Sequence, residues 1–431
     1  MKKGFVMKRN NKTNEIAYII EAGLEHFISL FVTGTMLGYI LDTLGFSDAM
    51  QGIISTVATF TCGAQLFALV LSGRKRKRLV TVGHMINQIC FAALYLLPIF
   101  SIPSGVKTLL LLILLFAGHI INNAINPAKI TWLMSSVPND RRGRFTALKE
   151  MISLAGGILV SLGFGVVADT FRDAQGMPTR PYYVICAAAL VIMMALHTVS
   201  LLVSTEKEEE QAKRIPVRQT LSKMVHNKKL IKVIGVGVIW NVASALSTSF
   251  YASYLREELA YSFTLIALLA TFASVCRIVV SPLLGKIADR HSFATSMMIS
   301  FAAVAVAFLA MCFAMPETRW LYLVYASLHA FAMAGINSGV INLIYDYVAP
   351  AERAVAMGVK NALGGILGFF VALFSGFLLG KIQEAGGFSM FGITIYAQQV
   401  LSFLSFLGAI ALVIYMRTVI VPMQKVEEKD E

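Results

Sequence analysis

Apolar runs of about 20 residues, the length a bilayer core requires of a helix, recur along this chain with little sequence between them. They fall near 16–41, 50–72, 79–100, 107–136, 144–168 and 181–204, and resume near 230–255, 261–284, 293–314, 319–347, 354–380 and 393–418. Of the 431 residues 57% are hydrophobic and 14% charged, with a mean hydropathy of +0.71. A soluble protein carries about 25% charged residues, so a water-soluble enzyme is excluded. The expected fold class is all-α: a polytopic membrane protein with twelve transmembrane helices.

The longest hydrophilic stretch, 205–228, separates six spans from six. It divides the chain into an N-terminal half (1–204), a cytoplasmic linker (205–228), a C-terminal half (229–418) and a cytoplasmic tail (419–431). The net charge of +13 also raises nucleic acid as a partner, and the position of the charges decides the matter. Counted over alternate loops, 29 of the 37 lysines and arginines fall on the side that holds both termini, and 6 on the other. Cytoplasmic loops carry the excess of Lys and Arg, so both termini are expected in the cytoplasm and the number of spans to be even. The charge is then an orientation signal beside anionic lipid in the cytoplasmic membrane, with no nucleic-acid partner. Only Lys129 and Arg277 lie inside spans.

The five cysteines (Cys62, Cys90, Cys186, Cys276 and Cys312) sit in separate apolar stretches, which suggests neither a disulfide framework nor a metal site. Glu21 and Glu25 interrupt the first apolar run and no small-residue cleavage site follows, so the first helix is expected to stay in the membrane. At an offset of 211 residues, Ile125-Asn126 aligns with Ile336-Asn337, Val137 with Val348, Arg142 with Arg353 and Lys149 with Lys360. Both segments read as a helix end, a Pro- and Arg-containing turn, and a new helix. Internal repeats of this kind mark many secondary transporters, whose substrate sites lie near the bilayer midplane.

With these features the sequence resembles the major facilitator superfamily across essentially its whole length. Gly285-Lys286-Ile287-Ala288-Asp289-Arg290, read as the loop after the eighth span, is similar to the head of the family's G-x-L-A-D-R motif. After the second span, Gly73-Arg74-Lys75 resembles the motif's basic tail, but Leu66 and Val70 stand where Gly and Asp are expected. The resemblance implies a cytoplasmic gate at Gly285, Asp289 and Arg290, with Asp289 near a helix end of the other half. A solvated turn is the alternative.

Polar side chains in a bilayer core are costly and face protein or a water-filled path. At 100° per residue along the fourth span, His119, Asn122, Asn123, Asn126 and Lys129 fall within one 120° arc. A cavity wall or interhelical hydrogen bonding explains such a stripe. In the seventh span Asn241, Ser244, Thr248 and Tyr251 share a face beside Trp240, a residue suited to stacking on a ligand or to packing. The first span carries Glu21 and Glu25 one turn apart, with Gly34 and Gly38 spaced for close helix approach. The tenth holds His329, Asn337, Asn342 and Asp346 without a single stripe. The polar spans are thus the first, fourth, seventh and tenth, the set that the family resemblance implies for the transport pathway.

At 1.5 Å per residue, Glu25 and Lys129 both lie roughly 12–14 Å from the cytoplasmic end of their spans. An isolated charge there costs about 3 kcal/mol or more, so a Glu25–Lys129 pair is expected, with Glu21 as the other candidate. Three roles stay open: a structural pair, an anion site at Lys129, or a carboxylate that exchanges a proton. Arg277 is read as a packing or gate residue, and Lys149 and Lys360 as chains that snorkel to the interface. The chain has no phosphate-binding loop of a primary pump, and its histidines show no metal-ligand spacing. No cofactor or metal is expected. The amides and hydroxyls suit a hydroxylated solute such as a sugar or nucleoside. The reading is a monomeric secondary transporter of a small solute, with a proton as candidate co-substrate and uptake favoured. Drug efflux by proton antiport, or a non-transporting sensor, are the alternatives. The proline-free fifth span, Ala155 to Gly163, departs from the signature that the resemblance implies for exporters.

Overall fold

The computed structural model describes residues 2–68, 76–134, 136–137, 142–174, 176–206, 217–349, 353–390 and 393–423. Val70, Gly73–Lys75 and residues 138–141 and 350–352 of the two Pro- and Arg-containing turns lie outside these. The chain forms two compact units, Met1–Phe46 with Ala64–Arg214, and Ser47–Gly63 with Ile215–Glu431. Ser47–Gly63, though early in sequence, clusters with the second unit. Among the described residues ten helices are long and apolar enough to cross a membrane. The second and third expected spans fall outside that set, each for a local reason.

The chain begins with α1 (Lys2–Phe31) and α2 (Gly34–Thr43), one apolar stretch divided at Val32–Thr33. Gly34 has φ +53°, and a Cβ there would meet nothing within 4 Å. It therefore supplies the left-handed backbone of the break, and not the close helix approach that its spacing from Gly38 predicts. The Tyr95 hydroxyl donates to the Phe31 carbonyl at 2.7 Å, satisfying one of the acceptors freed at the end of α1.

The second expected span is segmented into α3 (Asp48–Ser55), α4 (Val57–Phe60), a 3-10 turn (Thr61–Ala64) and α5 (Gln65–Ala68). Ser55, Thr56 and Thr61 each donate a hydroxyl to a carbonyl three or four residues back, a bond that competes with the helical ladder. The third is α6 (Arg76–Leu94), whose Thr81, His84, Asn87 and Gln88 lower its hydropathy and are all buried. After it come α7 (Ser104–Met134), α8 (Arg142–Thr170) and α9 (Arg180–Val203). Within the first unit α1 packs on α8 and α9, and α6 on α7 and α9. Tyr18, Val80, Trp132, Leu133, Phe145 and Leu201 form a core at their meeting point. Asn14 ties down the start of the expected linker, donating to Thr205 Oγ1 at 2.8 Å and accepting from its backbone N–H at 3.0 Å.

The second unit continues with α10 (Val217–His226), which lies inside the expected linker, α11 (Lys228–Ala245), a 3-10 turn (Thr248–Phe250) and α12 (Tyr251–Glu257). Then come α13 (Phe263–Arg290), α14 (Phe293–Cys312), α15 (Leu321–Tyr345) and α16 (Arg353–Glu384). A hairpin, β1 (Phe388–Met390) with β2 (Ile393–Ile395), pairs Phe388 with Ile395 and leads into α17 (Ala397–Tyr415). Glycines set the approach of α16 to the segmented helix: a Cβ on Gly365 would lie 2.0 Å from the Thr59 carbonyl oxygen. Gly285 to Arg290 is helical, the last part of α13, and not the loop expected there. The apolar run of α13 carries its helix through these residues, and the cationic Arg290 stands at the negative end of the helix dipole.

Candidate functional site

The polar centre of the first unit is assembled from four helices. Glu21 and Glu25 are one turn apart on α1 and therefore share a face. Both carboxylates meet Lys129 of α7: Glu25 Oε2 accepts a hydrogen bond from Nζ, and Glu21 Oε1 lies 3.2 Å from it. Glu21 Oε1 is also 3.4 Å from Nε2 of His197 on α9. His197 Nδ1 lies 3.0 Å from Gln88 Nε2 of α6, and the His84 and His197 rings are 4.8 Å apart. Beside the carboxylates, Tyr18 receives the Lys149 ammonium over its ring at 5.1 Å.

Burial sharpens this geometry. Glu21 and His84 are each 1% exposed, Lys129 3% and His197 fully buried, while the Glu25 side chain keeps 28% of its surface open. The cluster is a chain of ionisable groups with one part-exposed end at Glu25. It holds two carboxylates against one ammonium. A buried charge is tolerated only where a partner offsets its desolvation, and Lys129 is shared by two acids.

The expected stripe on α7 separates into two kinds of residue. Asn123 is engaged: its Nδ2 donates to the His119 carbonyl at 3.1 Å, and its Oδ1 accepts from Gln65 at 3.0 Å. His119 is buried with its ring 4.9 Å from that of Phe91. Asn122 and Asn126 are half-buried and make no hydrogen bond to another described residue. Pro127, inside α7, lacks the N–H that would bond the Asn123 carbonyl.

In the second unit the expected residues do not form one cluster. Trp240 is buried among Phe301, Phe308 and His329, at ring separations of 5.8, 6.5 and 6.5 Å. Asn241 lies against α16, where a Cβ on Gly364 would meet its amide at 2.1 Å. Thr248 Oγ1 donates to the Ser244 carbonyl at 2.9 Å and lies 3.3 Å from Ser244 Oγ. Asn337 is exposed on α15, and Gly285 and Arg290 on α13; the Asp289 side chain lies outside the described residues. Lys149, read as a snorkelling residue, instead covers Tyr18. Lys360 lays its aliphatic stem over Gly237, whose Cβ would lie 2.7 Å from Lys360 Cδ.

Sequence reasoning missed His84, Gln88 and His197. The signal was present: His84 and Gln88 are four residues apart on one face of a helix that also carries Thr81 and Asn87, and His197 stands alone in another. An ionisable residue at such a place reads as functional by default.

No curated protein matches this sequence. Among solved structures, a point mutant of the nucleoside transporter NupG superposes with a TM-score of 0.69 at 16% identity, covering 94% of this chain and 99% of that one. A D-xylose–proton symporter gives 0.70 at 15% identity, covering 93% and 96%. A bacterial metal transporter gives 0.61 at 14%, covering 95% and 97%. At these identities the likeness is one of fold, and the neighbours are transporters, not enzymes. Residues 27–391 match the MFS_1 like family, and the chain belongs to it: an integral membrane protein of the major facilitator superfamily, with that superfamily's transporter fold.

Proposed function

We propose that this protein is a proton-coupled secondary transporter that takes up a small hydroxylated solute, of sugar or nucleoside type. In this proposal twelve spans cross the cytoplasmic membrane with both termini inside, and the halves 1–204 and 229–418 work by alternating access. The observation that carries the coupling is the imbalance at Lys129, one ammonium held between Glu21 and Glu25. With both acids ionised and His197 neutral, the cluster bears one net negative charge, and a single added proton makes it neutral. A neutral cluster passes through a rearrangement in low dielectric at far lower cost than a charged one.

Asn122 and Asn126 are the amides proposed to hold the solute, because they are half-buried and keep their hydrogen-bonding capacity. Asn126 is three residues from Lys129 on α7, about 4.5 Å along the axis, so a shift of the ammonium reaches the solute contact through one helix. The nucleoside transporter and the xylose–proton symporter among the fold neighbours support this class of solute.

The test is uptake of radiolabelled pentoses, hexoses and nucleosides into proteoliposomes, with and without an inward proton gradient. Gradient-driven accumulation that Glu21→Gln abolishes, while solute exchange at equal pH persists, is the expected result. Accumulation that ignores both the gradient and Glu21→Gln refutes the coupling. Binding without flux of any solute would identify a sensor.

A further inference from the structure

Glu21, His84 and His197 bring one donor atom each within 4.8 Å of the others, from three helices, and all three side chains are buried. We propose that they form a binding site for one divalent transition-metal ion of the zinc type.

Three features carry the site. Two imidazoles and a carboxylate are a donor set that zinc accepts, with a fourth position open to water. Bonds of about 2.0–2.2 Å in a tetrahedron place donors roughly 3.3–3.6 Å apart, so closure needs side-chain shifts on the order of 1 Å. His84 supplies the second feature: it is 1% exposed, and among the described residues neither ring nitrogen has a hydrogen-bond partner. Such a buried imidazole has a lone pair to offer an ion. Magnesium and calcium, which take oxygen donors, do not answer it.

Gln88 is the third. Its Nε2 faces His197 Nδ1 while its buried Oε1 has no partner. In that orientation the Gln88 amide donates to Nδ1, and the histidine proton sits on Nε2, toward Glu21. A flip of the amide presents Oε1 instead. Nδ1 then carries the proton and donates it to Gln88, and the Nε2 lone pair faces the site. Metal-bound histidines commonly donate their second N–H to such an outer acceptor. An ion on Glu21 leaves the Lys129 ammonium to Glu25, its other partner and the part-exposed member of the cluster.

The charged and titratable groups around the site are Tyr18, Glu21 and Glu25 on α1, His84 on α6, Lys129 on α7, Lys149 on α8 and His197 on α9.

Zinc binding to the purified full chain is measured by titration calorimetry, and cobalt is added as a spectroscopic probe. One ion per chain is expected, with the visible absorption of tetrahedral cobalt. His84→Ala and His197→Ala should abolish both signals in variants that still elute as monodisperse protein. Gln88→Ala, which touches no ion, should weaken zinc about 10–100-fold. If the wild type binds no ion, or if binding survives both histidine replacements, the site is refuted. Wild-type cobalt spectra keep the test valid even where a variant fails to fold.

Discussion

Lys129 is the residue whose loss the first unit should feel most. In Lys129→Gln the ammonium disappears from between Glu21 and Glu25, and Glu21, 1% exposed, is left as a buried carboxylate with no cation beside it. At the 3.2 Å separation of Lys129 and Glu21, Coulomb's law with an effective dielectric of 20 gives about 5 kcal/mol. That agrees with the roughly 3–5 kcal/mol measured when one partner of a buried pair is removed. At about 2–4 °C per kcal/mol for a unit of around 200 residues, Lys129→Gln should lower the melting temperature in detergent by roughly 6–20 °C. The double variant Glu21→Gln/Lys129→Gln removes the stranded charge and leaves only Glu25, which keeps 28% of its side chain open. It should regain more than half of the loss. A single variant that melts within 2 °C of the wild type would refute the shared pairing, as would a double variant no more stable than the single. The exchange Glu25→Lys/Lys129→Glu is a second check, and should be more stable than either of its component changes.

Other parts of the molecule give equally definite expectations. Gly365→Ala places a methyl group against the Thr59 carbonyl; overpacking of this kind costs about 1–3 kcal/mol, read as a lower melting temperature, and an unchanged value would show that α16 can retreat. Trp240→Ala should lose about 3–5 kcal/mol from its aromatic core while Trp240→Phe retains uptake; a ligand-stacking tryptophan would instead lose uptake in both without losing stability. Asn126→Ala should raise the KM for solute about 5- to 30-fold, a loss of one or two hydrogen bonds at roughly 1 kcal/mol each, with the melting temperature unmoved. Asn123→Ala should do the reverse, since it removes the acceptor of the Gln65 side-chain hydrogen bond, and a KM effect equal to that of Asn126→Ala would count against assigning the two asparagines different roles.

Much of the fold was legible because a bilayer imposes a simple rule: every backbone polar group must be satisfied within the membrane, so spanning segments are helices of nearly fixed length. The border residues of most spans follow from that rule. It fails where side chains compete with the backbone. The Ser55, Thr56 and Thr61 hydroxyls bond their own helix, and hydropathy, which scores the run 50–72 as uniformly apolar, does not register them. It fails again at Gly34, where spacing from Gly38 suggests packing and only the backbone angle shows a break. That Ser47–Gly63 belongs with the second unit depends on contacts with α16, hundreds of residues away, and no local pattern carries that information.

The candidate site was readable in proportion to how much of it lay on one helix. The stripe on α7 and the Glu21–Glu25 turn each follow from a single periodicity, and the pairing of Lys129 follows from the cost of burying a lone charge. Which carboxylate Lys129 would meet was left open, and the answer, both, depends on how α1 packs on its neighbours. His84, Gln88 and His197 needed two further helices to be placed. Spacing rules for metal ligands are local by construction, and these histidines are more than 100 residues apart in sequence. The stripe itself misled in one respect. Five polar residues on one face suggested one wall, but Asn123 bonds the His119 carbonyl and Gln65, the His119 ring lies beside Phe91 and Lys129 is held by Glu21 and Glu25, while the Asn122 and Asn126 side chains bond no other described residue. Periodicity identifies which residues share a face; only partners distinguish a residue that holds the protein together from one still free to hold a solute.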